Sequence, residues 1–195
     1  MKFGGTWPTR DGNKDVRLHK TVVLVGMMGA GKTAVGKALA ARLAVPFLDS
    51  DAEIEAAANM SVSEVFARDG EPFFRAKESQ IIARLLDGPP GILSTGGGAF
   101  LAKENRVLIS ERGVSLWLNA DLDLLWSRVR HKDTRPLLRT DNPRKTLSEI
   151  YESRVPIYRL ADLSVAADPR YSIDDMAGAA IEVLRSRPDV LEQVA

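Results

Sequence analysis

From Thr21 the chain runs Thr-Val-Val-Leu-Val without polar alternation. A strand buried on both faces, as in a parallel sheet, reads this way. The period then changes: behind a glycine-rich stretch at Gly26–Lys32, Val35, Ala38, Leu39 and Leu43 recur at helical spacing. Pro46-Phe47-Leu48 predicts a short strand ending at Asp49. Short helices are expected at about 52–58 and 62–68, the second opened by a Ser61–Glu64 capping box. A longer helix is expected over 71–87, with Phe74, Ile81, Ile82, Leu85 and Leu86 on its apolar side. Residues 91–95, GILST, read as a strand entering Gly96-Gly97-Gly98, and 114–118, VSLWL, as another. A helix at about 121–130 follows. The polar stretch 131–145, holding Pro136 and Pro143, reads as an excursion or mobile loop. A helix near 146–160 leads to a strand at Leu163–Ala166. Ser172 and Asp175 cap a last helix, with Ile173, Ala177, Ala180, Ile181 and Leu184 inward.

Strands alternating with helices imply right-handed βαβ units and an α/β fold on a parallel sheet of five strands. Ligands of such sheets sit beyond the carboxyl ends of the strands. Glycine-rich or acidic residues follow three of the five: Gly26 onward, Asp49 onward and Gly96 onward. That coincidence locates the active face.

Length and composition narrow the classes. The 195 residues, 45% apolar and 27% charged, suit a globular chain and exclude a mainly disordered or fibrous one. Twenty-seven Lys+Arg against 26 Asp+Glu leave a net charge of +1, so no global charge excess points to nucleic acid. There is no cysteine, which removes disulfides, thiolate catalysis and Cys-ligated metal, and fits a reducing cytoplasm. With only His19 and His131, a histidine-rich metal centre is excluded too. No apolar stretch approaches the roughly 20 residues that span a bilayer. Residues 1–20 lack a signal core and carry Gly4, Gly5, Pro8 and Gly12, so they read as a flexible arm.

Gly26-Met-Met-Gly-Ala-Gly-Lys32-Thr33 matches G-x-x-x-x-G-K-[ST]. Chance produces this pattern at roughly 4 × 10⁻⁵ per start position, so it is a specific signal. The glycines let backbone N–H groups close on phosphate oxygens, and the following helix adds its positive end. The candidate ATP-binding set here is Gly29, Ala30, Gly31, Lys32, Thr33 and Ala34. Lys32 is expected at the β- and γ-phosphates and the Thr33 hydroxyl on Mg²⁺.

Asp49-Ser50-Asp51 follows the second strand. Two carboxylates two residues apart in extended chain project to one side. Asp49 is expected to serve the metal through water, and Asp51 the acceptor hydroxyl. The competing reading is that one of them only caps the helix beginning near Ala52.

Together these residues resemble the shikimate kinase family over about residues 21–185. The resemblance rests on GMMGAGKT at 26–33, DSD at 49–51, FFR ending at Arg75, TGGG at 95–98 and RPLL beginning at Arg135. Arg154-Val-Pro-Ile-Tyr158 is similar to the family's R-x-P-x-Y segment. The resemblance implies phosphorylation of the 3-hydroxyl of shikimate by MgATP, within aromatic amino-acid biosynthesis. It implies a single kinase domain at 21–185 with sheet order 2-3-1-4-5, a substrate-binding segment at about 51–80, a lid at about 131–145 and a tail at 186–195. Lys32, Asp51 and Arg135 would be catalytic. Asp51, Arg75, Gly96, Gly97, Gly98 and Arg154 would bind the substrate, the two arginines chiefly its carboxylate. Arg135 would reach the phosphates from the lid, Arg128 would lie against the adenine, and Arg170 would take a minor nucleotide role. A monomer in the cytoplasm is expected, with no nucleic-acid or membrane partner.

Without the family, lone arginines are usually solvated, and a glycine triplet is often a plain strand-end turn. Trp117 reads as core and His131 as a surface residue. The alternatives weighed are a kinase of another small molecule, such as gluconate, and a non-catalytic nucleotide-dependent module.

Overall fold

The computed structural model describes residues 16–131 and 136–194. Its centre is a parallel sheet of order β3-β4-β2-β5-β6. The strands are β2 (Thr21–Val25), β3 (Phe47–Asp49), β4 (Ile92–Ser94), β5 (Gly113–Asn119) and β6 (Leu163–Ala166). Numbered from Thr21, this is the expected 2-3-1-4-5 order. The central strand β2 pairs with β4 and β5 and is buried at all five positions, which explains its lack of alternation.

Helix α1 (Lys32–Leu43) returns the chain from β2, and α2 (Ser50–Ala58) follows β3 directly. Helix α3 (Val62–Leu86) contains both expected helices, separated by non-helical Gly70 at φ +82°. Pro72 then opens the second part, where its missing N–H is tolerated. Ser61 and Glu64 make the reciprocal capping box. Ile54, Val65 and Phe74 form a small separate core that fixes α2 to α3. This core holds the expected substrate-binding segment beside the sheet.

Helix α4 (Lys103–Arg112) was not expected from the sequence. Only Asn105 and Ile109 are buried in it, so it carries no apolar stripe. Helix α7 (Ile173–Leu184) has the expected cap, Ser172, and α5 (Leu122–Val129) is capped by Asp121. Helix α6 (Pro143–Tyr158) begins three residues before the expected 146, because Asn142 caps it and Pro143 starts it. Within the expected excursion at 131–145, a 3₁₀ turn occupies Pro136–Leu138 and α6 takes up 143–145, while 132–135 lie outside the described residues.

The chain ends require a correction. Residues 16–20 do not belong to a free arm, nor 191–193 to a plain tail. Strand β1 (Val16–Leu18) pairs antiparallel with β7 (Leu191–Gln193), with Leu18 opposite Leu191. His19 Nε2 meets Glu192 at 2.8 Å and Lys20 meets Asp189 at 2.9 Å. Leu18 and Leu191 join the main core, so this small ribbon closes one end of the domain. The first fifteen residues of the expected arm lie outside the described residues. Among the described residues, no helix is long and apolar enough to cross a membrane.

Candidate active site

The loop between β2 and α1 folds as its glycines require. Gly26, Gly29 and Gly31 take φ of +139°, +83° and +93°. A Cβ at Gly29 would stand 2.7 Å from Val129 Cγ1, so backbone approach also demands glycine there. Gly31 ends the loop with no side-chain cap, and no acidic residue stands in the first turn of α1. The first N–H groups of the helix therefore face the cavity above it with their positive end. Lys32 Nζ donates to the carbonyls of Gly26 at 2.8 Å and Met27 at 3.1 Å, arching over the loop.

This cavity has a volume of about 500 Å³ and takes its floor from Gly29, Ala30, Gly31, Lys32, Thr33 and Ala34. Arg128 crosses from α5, with Nη1 3.3 Å from the Gly29 carbonyl and 3.4 Å from that of Ala30. The far wall is Tyr171, Ile173 and Met176, a partly apolar surface; Ile173, expected inward, is instead exposed at the start of α7 and lines this cavity. Arg170 is not brought to it. Its side chain is 86% exposed and its guanidinium is bonded to Asp168, whose carboxyl it holds down at about 2.

The acidic pair divides its tasks. Asp49 is the cap: Oδ1 accepts from the N–H groups of Asp51 and Ala52, at 3.1 and 3.3 Å. Its other oxygen lies 3.4 Å from Thr33 Oγ1, which is also 3.4 Å from Ser94 Oγ. Asp51 is left with its carboxylate in the cavity. Burial pushes the Asp51 carboxyl above its ordinary value, and Asp49 adds to this, against the pull of Lys32.

A second cavity of about 230 Å³ adjoins the first, and Met28, Asp51, Gly96 and Gly97 line both. Arg75 enters it from α3 and Arg154 from α6. The two are 79 residues apart in sequence but share this one chamber with Gly98 and Leu137. Phe66 and Phe74 supply apolar wall, and the Arg75 guanidinium lies 5.8 and 5.3 Å from their ring centres. The glycine triplet is more than a turn: a Cβ at Gly96 would stand 2.9 Å from Asp51 Oδ1 and 3.2 Å from Glu78 Oε1.

Glu78 was missed in the sequence. It is fully buried, accepts from Arg75 Nη1 at 2.7 Å, and leaves Oε1 without a partner among the described residues. Burial raises its pKa, opposed by Arg75. The i,i+3 spacing of Arg75 and Glu78 was the available signal. Ser94 had none, being an interior strand residue. Arg135 lies outside the described residues. Trp117 is core, 6% exposed, and His131 is exposed, both as expected.

A shikimate kinase family model matches residues 28–185. The chain belongs to the shikimate kinase family. A shikimate kinase of Ruegeria pomeroyi is 69% identical over 175 residues, 90% of each chain. One of Cereibacter sphaeroides is 61% identical over 197 residues, 98% of each chain. The solved shikimate kinase of Acinetobacter baumannii, in complex with shikimate, superposes with a TM-score of 0.80 at 34% identity, over 86% of this chain and 93% of that one. The chain is thus an ATP-dependent kinase. Family membership removes the gluconate and non-catalytic alternatives as readings of the fold and motifs.

Proposed function

We propose that this chain transfers the γ-phosphoryl group of ATP to the 3-hydroxyl of shikimate, giving shikimate 3-phosphate and ADP for aromatic amino-acid biosynthesis. One observation carries the reading. Asp51 lines both the phosphate-loop cavity and the chamber of Arg75 and Arg154. An acceptor seated by two arginines therefore meets the nucleotide at a carboxylate.

The roles follow from the chemistry of each group. Gly29 to Ala34 offer N–H groups to the phosphates, and Lys32 offsets charge on the moving phosphoryl group. Asp51 orients the hydroxyl and accepts its proton, a task that its raised pKa suits. Arg75 and Arg154 present forked donors to a planar carboxylate. The backbone of Gly96, Gly97 and Gly98 lies close enough to touch a small polyol. Arg128 beside the loop supports an adenine contact, whereas the Asp168 pair leaves Arg170 a secondary role at most. Arg135 would act on the phosphates from a lid at 131–145, and Leu137 on the chamber wall supports that lid.

Thr33, Asp49 and Ser94 form an oxygen-only donor set whose 3.4 Å spacings are wider than hydroxyl hydrogen bonds, which fits Mg²⁺ retaining its waters. When bound, Mg²⁺ would neutralise phosphate charge. Thr33 would hold it directly and Asp49 through water. The reading extends to a monomer in the cytoplasm; near-balanced charge and absent cysteine support it.

The test supplies ATP and Mg²⁺ with shikimate or gluconate, and follows ADP release and product mass. Shikimate alone should be phosphorylated. Turnover of gluconate, or ATP hydrolysis that ignores both, would overturn the reading.

A further inference from the structure

We infer that Tyr158 is a positioning residue for Arg154: its hydroxyl occupies the Gly97 carbonyl and so keeps the Arg154 guanidinium available to a ligand carboxylate. The inference rests on the proposed function for the identity of that ligand, but its geometry stands apart from it.

Arg154 and Tyr158 are four residues apart on α6 and so share a face. Tyr158 is fully buried, with its ring stacked on Trp117 at 6.4 Å and 27°. Its hydroxyl donates to the Gly97 carbonyl at 2.5 Å. Arg154 Nη1 reaches the same oxygen at 3.5 Å, the outer limit of such a bond. One carbonyl thus takes a close donor from the phenol and a loose one from the guanidinium. Arg154 and Gly97 line the substrate chamber, and Tyr158 is not among its lining residues. Any effect of Tyr158 on substrate therefore passes through those two neighbours.

Two consequences follow. A trans peptide is planar, so holding the Gly97 carbonyl also fixes the Gly98 N–H, which points the opposite way. Glycine has no side chain to impose that orientation, and the phenol imposes it instead. Second, a part-buried carbonyl that loses its close donor turns to the donor already beside it. Arg154 is that donor. Once committed to Gly97, its fork is spent on the protein and only part of it remains for a carboxylate. Burial raises the Tyr158 pKa against the pull of the adjacent Arg154 guanidinium, so the phenol keeps its proton for Gly97.

Tyr158→Phe removes one oxygen and keeps the ring on Trp117. The KM for shikimate should rise about 3- to 10-fold, the worth of one net hydrogen bond. The KM for ATP should stay within about twofold, as expected for lost acceptor binding alone. Shikimate methyl ester, which lacks the charge that Arg154 reads, should be affected little. The ¹⁵N-arginine spectrum gives a readout independent of turnover. The Arg154 guanidinium signal, assigned by its loss in Arg154→Lys, should shift in Tyr158→Phe as the group closes on Gly97. An unmoved Arg154 signal would overturn the inference, as would equal effects on acid, ester and ATP, which mark a structural tyrosine. Failure of the wild type to bind shikimate would instead overturn the proposed function, and the Arg154 signal would still decide the role of Tyr158.

Discussion

Arg75 lays its guanidinium against the bare α-carbon of Gly98, where a Cβ would stand 2.7 Å from both Cζ and Nη1. Gly98 has φ −92° and ψ −17°, which any residue adopts, so the constraint is contact and not backbone conformation. Gly98→Ala should therefore fold with little loss of Tm. The group that yields is the guanidinium, held by Glu78 at 2.7 Å and Glu71 at 3.2 Å. Displacing it should lower kcat/KM for shikimate about 10- to 150-fold, the scale of a charge-assisted hydrogen bond, with KM for ATP unchanged. Steady-state kinetics beside a melting curve checks this. Arg75→Lys should give a similar loss, and the double variant should lose less than the sum.

Asp51→Asn should lower kcat about 10²- to 10⁴-fold, because an amide cannot take the hydroxyl proton. The same variant should melt higher at neutral pH. Folding raises the Asp51 pKa, chiefly through burial, so the ionised form costs stability. That cost is fully present above the folded pKa, shrinks as pH falls through it and is gone below the unfolded value. The Tm gap between variant and wild type should therefore close on acidification. Wild-type kcat should fall on the acid side with an apparent pKa above that of an ordinary aspartate. A variant with unchanged turnover and no gain in Tm would leave Asp51 no role in the chemistry.

Lys32→Ala should leave a folded protein whose turnover falls about 10²- to 10³-fold, the scale of losing one preorganised charge at the reacting group. Circular dichroism with a coupled ADP assay separates lost chemistry from lost fold.

Asp49 caps α2 with one oxygen and faces Thr33 with the other, so its two roles can be separated. Asparagine caps as well as aspartate but carries no charge. Asp49→Asn should hold Tm while raising the Mg²⁺ needed for half-maximal rate. Asp49→Ala should also lose about 1 kcal/mol of stability with the cap. Magnesium titrations of both variants test the split.

How far the sequence carried depended on whether each feature had a local signature. The β2 run, the Ser61–Glu64 and Ser172–Asp175 boxes and the phosphate loop are local patterns, and all five sheet strands were legible. Helix α4 was not, because its buried positions reduce to Asn105 and Ile109. Neither was the β1–β7 pair, whose partners stand at opposite ends of the chain. In the site, Asp51, Arg75 and Arg154 were nameable from their motifs. That Asp49 alone caps, and that Glu78 lies buried beneath Arg75, depends on tertiary placement that periodicity does not encode. Arg170 stands outside the cavity lining for a local reason: Asp168, two residues away, holds its guanidinium.

The β1–β7 ribbon gives the last prediction. Leu18 is 9% exposed and faces Leu191, itself 2% exposed, in the main core. Neither lines a ligand cavity. A dispensable arm would tolerate any change at Leu18. A core strand would not: Leu→Ala at a buried site costs about 2–5 kcal/mol. The edge position places Leu18→Ala at the low end, about 2 kcal/mol, or roughly 4–8 °C in Tm for a chain of this size. The KM values for ATP and shikimate should stay unchanged at temperatures where the variant is folded. Leu191→Ala should match it, and the pair together should lose less than the sum because they touch. An unaltered Tm in Leu18→Ala would return residues 16–20 to a dispensable arm.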